Sequence, residues 1–131
     1  MKAAYLDASA LVKLFKPERE TAAFHEALRD WPVQVSSELI RVESVCTARR
    51  LGGGDVLKRA LTLLDAVELI PLSPEIVALA TGPFTPPLRA MDAIHLATAL
   101  SMQEDIGAIF VYDSDLHAAS LAQGFSAIAP R

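Results

Sequence analysis

The sequence predicts an α/β fold, a three-layer α/β/α sandwich built on a central, mostly parallel sheet. Three observations carry that expectation. Short runs rich in β-branched and aromatic residues alternate with stretches of helical apolar spacing along the whole chain. Strands separated in this way pair in parallel, because parallel neighbours need crossover connections that are usually helical. The length, 131 residues, suits one compact domain over residues 1–131 with a substantial core.

The elements follow in order. Residues 2–7 (Lys-Ala-Ala-Tyr-Leu-Asp) read as a short strand, and Ala8 to Leu14 takes up helical spacing, which leaves Asp7 at the junction. Pro17 interrupts that helix, and Glu18 to Trp31 resumes helical character until Pro32. Val33-Gln34-Val35 is a brief strand; Ser36 or Ser37 is placed to cap a helix from Glu38 to Leu51, closed by Gly52-Gly53-Gly54. A helix over 55–66, a strand over 67–70 and a short helix from Pro74 to Ala80 lead into a Gly/Pro loop at 82–87. Arg89 to Gln103 is predicted as a helix, Ala108 to Tyr112 as a strand, Ser114 to Gln123 as a helix stopped by Gly124, and Ser126 to Ala129 as a last strand.

Composition narrows the function. Hydrophobic residues make up 52% and charged residues 21%, a balance that excludes a disordered chain. The apolar excess also favours self-association, for which a homodimer is the economical form. A net charge of −4 excludes a globally basic nucleic-acid binder, so any contact with phosphates must be local. The single cysteine, Cys46, has no internal partner, and no N-terminal stretch has the build of a leader, so the cytoplasm is the expected location. No apolar run approaches the roughly 18 to 20 residues that span a bilayer.

Four acids stand where chemistry would need them. Asp7 and Asp113 are expected at the carboxyl ends of strands, where open parallel sheets bind ligands, although either also suits the N-cap of the helix that follows. Glu43 falls on the helical arc marked by Leu39, Ile40, Val42 and Cys46, expected to face the core; an internal salt bridge to Arg41, to Arg89 or to a partner not evident in the sequence is the competing account. Asp92 interrupts a helix apolar almost all round, and His95, three residues on, either orients Asp92, donates to backbone or fills a satisfied core position. Gathered without a cation, these carboxylates would repel one another strongly. Oxygen ligands point to Mg²⁺ or Mn²⁺, whereas one cysteine and scattered histidines argue against zinc. Such an ion activates water and stabilises charge on a phosphodiester, which makes nucleic-acid hydrolysis the natural reaction.

Four blocks then carry a resemblance: Tyr5-Leu6-Asp7-Ala8-Ser9-Ala10-Leu11-Val12-Lys13, Ser37-Glu38-Leu39-Ile40-Arg41-Val42-Glu43, Met91-Asp92-Ala93-Ile94-His95-Leu96-Ala97-Thr98-Ala99 and Val111-Tyr112-Asp113-Ser114-Asp115-Leu116. In order and spacing the chain resembles the PIN-domain ribonucleases, specifically the VapC toxins of toxin-antitoxin pairs. The resemblance implies Mg²⁺- or Mn²⁺-dependent endonucleolytic RNA cleavage. It casts Asp7, Glu43 and Asp92 as metal-ligating acids, Asp113 as a fourth acid acting through water, and Ser9 as a supporting polar residue. It also implies a homodimer and a cognate VapB-type antitoxin. The family usually has Thr or Ser where Val111 stands, so Ser9, Ser114 and Asp115 are the neighbours able to replace that polar group, and Asp115 competes with Asp113 as fourth acid. Lys13, Lys16, Arg41, Arg49, Arg50 and Arg89 are the candidate RNA phosphate contacts, against ordinary solvated surface charge.

Two other classes remain in view. A phosphatase- or receiver-like α/β domain also uses strand-end Asp and Mg²⁺, but Ser9 stands where a two-aspartate phosphatase wants a second Asp. A catalytically inactive or stand-alone PIN-like RNA-binding domain would keep the acidic pocket without the toxin's role.

Overall fold

The computed structural model describes residues 1–131 and has the expected three layers. A five-stranded, all-parallel sheet in the order β3-β2-β1-β4-β5 forms the middle. Its strands are β1 (Ala3–Leu6), β2 (Gln34–Ser37), β3 (Glu68–Ile70), β4 (Ile106–Phe110) and β5 (Ala127–Ile128). The helices are α1 (Ala8–Phe15), α2 (Thr21–Leu28), α3 (Leu39–Leu51), α4 (Gly54–Asp65), α5 (Pro74–Ala80), α6 (Ala90–Ser101) and α7 (Ser114–Ala122).

Alternation along β1 divides the core. Ala4 and Leu6 join Phe15, Phe24, Ile40, Leu64 and Phe110 beneath α1 to α4, whereas Ala3 and Tyr5 join Leu96, Ile109, Val111 and Leu116 beneath α6 and α7. Two buried faces explain why β1 reads as a nearly continuous apolar run. No helix is long and apolar enough to cross a membrane.

Element boundaries differ from expectation where side chains claim backbone groups. β2 runs on through Ser36 and Ser37, which were expected at a helix cap; both are buried and paired with Leu69 and Ile70 of β3. Ser36 Oγ donates to Leu6 O at 2.6 Å, and Ser37 Oγ keeps part of the capping duty by accepting from Leu39 N at 3.2 Å. α2 starts later than Glu18 because Thr21 Oγ1 accepts from Glu18 N and donates to Lys13 O, each at 2.8 Å, fixing a turn after Pro17. β4 begins and ends two residues earlier than expected, since Tyr112 N–H is taken by Ser9 Oγ at 2.9 Å rather than by a strand. The α3–α4 turn uses Gly52 and Gly53 at φ of 78° and 86°, left-handed backbone that L side chains rarely adopt.

Gly107 in β4 has a different reason. A Cβ there would lie 2.5 Å from the Trp31 ring, which packs edge-on to Phe110 at 6.2 Å between centroids. Gly107→Ala is therefore expected to lower unfolding stability by about 1 to 3 kcal/mol, an overpacking penalty measurable by urea denaturation. An unchanged midpoint would mean that Trp31 moves aside freely.

Candidate active site

β1 and β4 are neighbours at the centre of the sheet, with β2 and β3 on one side and β5 on the other. A crevice opens beyond the carboxyl ends of strands at such a switch point. Asp7 directly follows β1, and Asp113 lies three residues past Phe110, the end of β4. Both also cap helices: Asp7 Oδ1 accepts from Ala10 N at 2.9 Å and Asp113 Oδ1 from Leu116 N at 2.8 Å. Capping and a position at the crevice are thus one arrangement, because a helix N-cap here is the strand's carboxyl end.

Asp7 is buried, and Ser9 Oγ lies 2.7 and 2.8 Å from its two carboxylate oxygens. The same hydroxyl accepts from Tyr112 N, so Ser9 ties the end of β1 to the loop that carries Asp113. Val111 is wholly buried under α6 and α7. Burial pushes the Asp7 carboxyl up to about 6; the His95 ring and the hydrogen bonds from Ser9 and Ala10 oppose the rise, and Asp92 adds to it. Ser9→Ala is expected to raise the Asp7 pKa further, read by ¹³C NMR titration of the carboxyl, because a hydrogen bond to the charged form is lost.

Asp92, in the first turn of α6, is half-buried and also held above the ordinary carboxylate range. Burial is the main cause, the charges of Asp113 and Glu43 reinforce it, and His95 and Arg89 act against it. Asp113, rather than Asp115, is the α7 acid whose charge acts on Asp92.

His95 is buried between two partners, neither of them Asp92. Its Nε2 lies 2.6 Å from Glu43 Oε1 and its Nδ1 2.7 Å from the Tyr5 hydroxyl. His95 therefore does not orient Asp92, which corrects the expected support, and the partner of Glu43 is His95 rather than Arg41 or Arg89. The α3 face is also narrower than expected. Ile40, Ser44 and Ala48 form its buried stripe, while Val42 and Cys46 are exposed and Glu43 sits at the edge. Tyr5 was missed by sequence reasoning. The available signal was strand alternation, which turns Tyr5 toward the α6 layer with a phenol needing a partner.

Among the expected phosphate contacts, Lys13 is corrected. It is buried, with Nζ 3.0 Å from Glu20 and 3.5 Å from Glu18 and lying over the Tyr112 ring, which leaves no free head for RNA. Lys16, Arg41, Arg49, Arg50 and Arg89 are exposed. Arg41 borders a shallow depression of about 360 Å³ with Glu38, Leu39, Val42 and Leu69.

The donors available to a cation are carboxylate oxygens of Asp7, Glu43, Asp92 and Asp113. No three of the acidic, histidine or cysteine side chains converge tightly enough to form a ready-made cage. Mg²⁺ and Mn²⁺ do not require one, since they retain several waters and bind through a few hard oxygens. Burial raises both Asp7 and Asp92, Asp92 adds to the rise at Asp7, and Asp113 and Glu43 add to the rise at Asp92; a divalent cation would relieve this charge repulsion.

Known proteins resemble this chain over nearly its whole length. The PIN domain family matches residues 4–121. Over 130 residues the chain is 38% identical to Ribonuclease VapC46 of Mycobacterium tuberculosis, covering 99% of each protein. It is 36% identical to Ribonuclease VapC47 of the same species, covering 96% of each. Two solved structures superpose with a TM-score of 0.74: a toxin-antitoxin complex from Klebsiella pneumoniae, 23% identical and covering 98% of both chains, and the sarcin-ricin loop cleaving toxin VapC20 of M. tuberculosis, 18% identical and covering 98% of this chain and 100% of that one. With the family model matched over residues 4–121 and relatives more than a third identical matched over nearly their whole length, the chain belongs to the PIN-domain family, in its VapC ribonuclease branch.

Proposed function

We propose that this protein is the toxin of a toxin-antitoxin pair and hydrolyses RNA phosphodiester bonds as one nuclease domain over residues 1–131, using Mg²⁺ or Mn²⁺ held by Asp7, Glu43, Asp92 and Asp113. The observation that carries the reading is the pair of carboxyls, Asp7 and Asp92, both raised chiefly by burial and further by neighbouring acids, Asp92 acting on Asp7 and Asp113 and Glu43 on Asp92. When bound, the ion supplies Lewis-acid stabilisation of the phosphate and makes a water more acidic.

The chain's own residues do the rest. Asp7 is locked by Ser9 and the start of α1, so its carboxylate needs little reorganisation when it meets a ligand. Glu43 has one oxygen on His95 and its other free. Asp113, exposed at the N-cap of α7, would orient water for in-line attack. Arg89, exposed and close enough for its charge to act on Asp92, would receive the scissile phosphate's neighbour. Lys16, Arg41, Arg49 and Arg50 offer sequence-independent contacts on the flanks.

A homodimer and a covering antitoxin of the VapB type, both in the cytoplasm, belong to the same reading, the antitoxin supported by the toxin-antitoxin complex among the similar structures. The deciding experiment incubates purified protein with structured RNA in Mg²⁺, in Mn²⁺ and in EDTA, with Asp92→Asn as the preparation blank. Cleavage in either metal and none in EDTA or the blank is expected. Equal cleavage in EDTA overturns metal dependence, and no cleavage under any condition favours the inactive binding domain.

A further inference from the structure

The Tyr5–His95–Glu43 chain can be resolved into donors and acceptors. The Tyr5 oxygen already accepts from Ser37 N–H at 3.1 Å. Of its neighbours, Ser36 donates its own proton to Leu6 O and Thr98 to Ile94 O, so neither brings a proton to the phenol. The side-chain hydrogen bond of the phenol is to His95 Nδ1, at 2.7 Å. Were Nδ1 to carry a hydrogen, the buried Tyr5 proton would lose this short acceptor, at a cost on the order of an unmade hydrogen bond. Nδ1 therefore accepts, which leaves the ring proton on Nε2, facing Glu43 Oε1 at 2.6 Å. Burial holds the phenol protonated, so the donor at the head of the chain is constant.

We infer that Tyr5 is a positioning residue for the active site: its hydroxyl fixes His95 as the Nε2–H tautomer, and His95 thereby holds one oxygen of Glu43 and turns the other toward the crevice. The inference rests on the reading of Glu43 as a metal-holding acid and adds the residues that aim it. The geometry has a structural logic. Tyr5 is in β1, His95 in α6 and Glu43 in α3, so a strand and a helix from each outer layer are joined beneath the acids. Glu43 lies at the exposed edge of α3 and makes no other hydrogen bond or ion pair, so its direction depends on His95. Groups that orient a metal ligand from behind are typically worth about 10- to 100-fold in metal affinity.

The test uses full-length protein, with Mn²⁺ as the probe and two readouts besides catalysis. In ¹⁵N NMR of the metal-free protein, His95 is expected to show a protonated Nε2 and an acceptor Nδ1, and Tyr5→Phe to lose that preference. In Mn²⁺ titrations followed by EPR of the free ion, His95→Ala is expected to weaken binding by roughly 10- to 100-fold. Tyr5→Phe, which removes only a hydroxyl, is expected to weaken it several-fold, and His95→Gln, whose amide can still donate to Glu43, to restore most of the affinity. An Nδ1–H or doubly protonated ring in the wild type overturns the inference. So does unchanged affinity in Tyr5→Phe and His95→Ala while the wild type binds Mn²⁺ and Asp92→Asn does not, an outcome that leaves the metal site standing. A wild type that binds no Mn²⁺ removes both readings together.

Discussion

Asp7→Asn is expected to abolish RNA cleavage and, in the absence of divalent metal, to make the protein more stable than the wild type. The two effects have one origin. The Asp7 carboxyl titrates at about 6 in the folded protein against 3.8 in a free chain, so folding with this carboxylate ionised costs free energy. Below the unfolded value the group is protonated in both states and costs nothing. As pH rises through the interval up to about 6, the unfolded chain releases its proton first and stability falls, and above that the whole cost is present. A shift of this size corresponds to about 3 kcal/mol at neutral pH. Asn removes the charge yet keeps an oxygen to accept from Ala10 N–H, so the cap of α1 survives. The thermal midpoint of the metal-free variant should rise by several degrees at neutral pH, with the gain vanishing toward pH 4. Mg²⁺ or Mn²⁺ should raise the wild-type midpoint more than that of the variant, because the ion compensates the charge that Asn lacks. Cleavage should drop by a factor on the order of 10³, the several kcal/mol that metal-based charge stabilisation supplies. Calorimetry beside an RNA assay checks both halves. A variant less stable than the wild type at every pH would mean that Asp7 is a structural cap first.

Such a trade of stability for reactivity explains which parts of the site could be read in advance. Asp7 and Asp92 were conspicuous because each breaks an apolar pattern, β1 running into α1 in one case and α6 in the other. The sheet order was not written in any one segment, but alternation of strands with helical crossovers restricts the topology enough for a parallel α/β/α sandwich to follow. Pairwise side-chain contacts were a different matter. Lys13 looked like a surface cation on a helix, and only tertiary packing brings Glu20 and the Tyr112 ring around it. Glu43 was placed on the right helix for an incomplete reason, since an assumed broad apolar face of α3 proved to be the narrow stripe of Ile40, Ser44 and Ala48. His95 seemed bound to Asp92 because residues three apart on a helix are neighbours. In the fold, Tyr5 and Glu43, 90 and 52 residues distant, claim both ring nitrogens. Contacts of that range depend on the register of β1 against its layers, which no local pattern states.

The choice between Asp113 and Asp115 as fourth acid yields the sharpest remaining contrast. Both lie at the start of α7 and both are exposed, so accessibility does not separate them. Their charges do: Asp113 is the second-largest cause, after burial, of the elevated Asp92 carboxyl. Asp113→Asn keeps the α7 cap, since Asn accepts from Leu116 N–H nearly as well, and removes only the charge. It is therefore expected to let the Asp92 pKa fall toward the ordinary carboxylate range and to reduce cleavage by roughly 10²-fold, the scale of a lost general acid-base contribution, with the fold intact. Asp115→Asn should leave both the Asp92 titration and the rate close to wild type. ¹³C NMR titration of Asp92 together with single-turnover cleavage reads the two effects separately. If Asp115→Asn carries the larger loss, the water-orienting group lies one residue inside α7, and the hydroxyl of Ser9, through Tyr112, would serve to seat that helix rather than the acid at its cap.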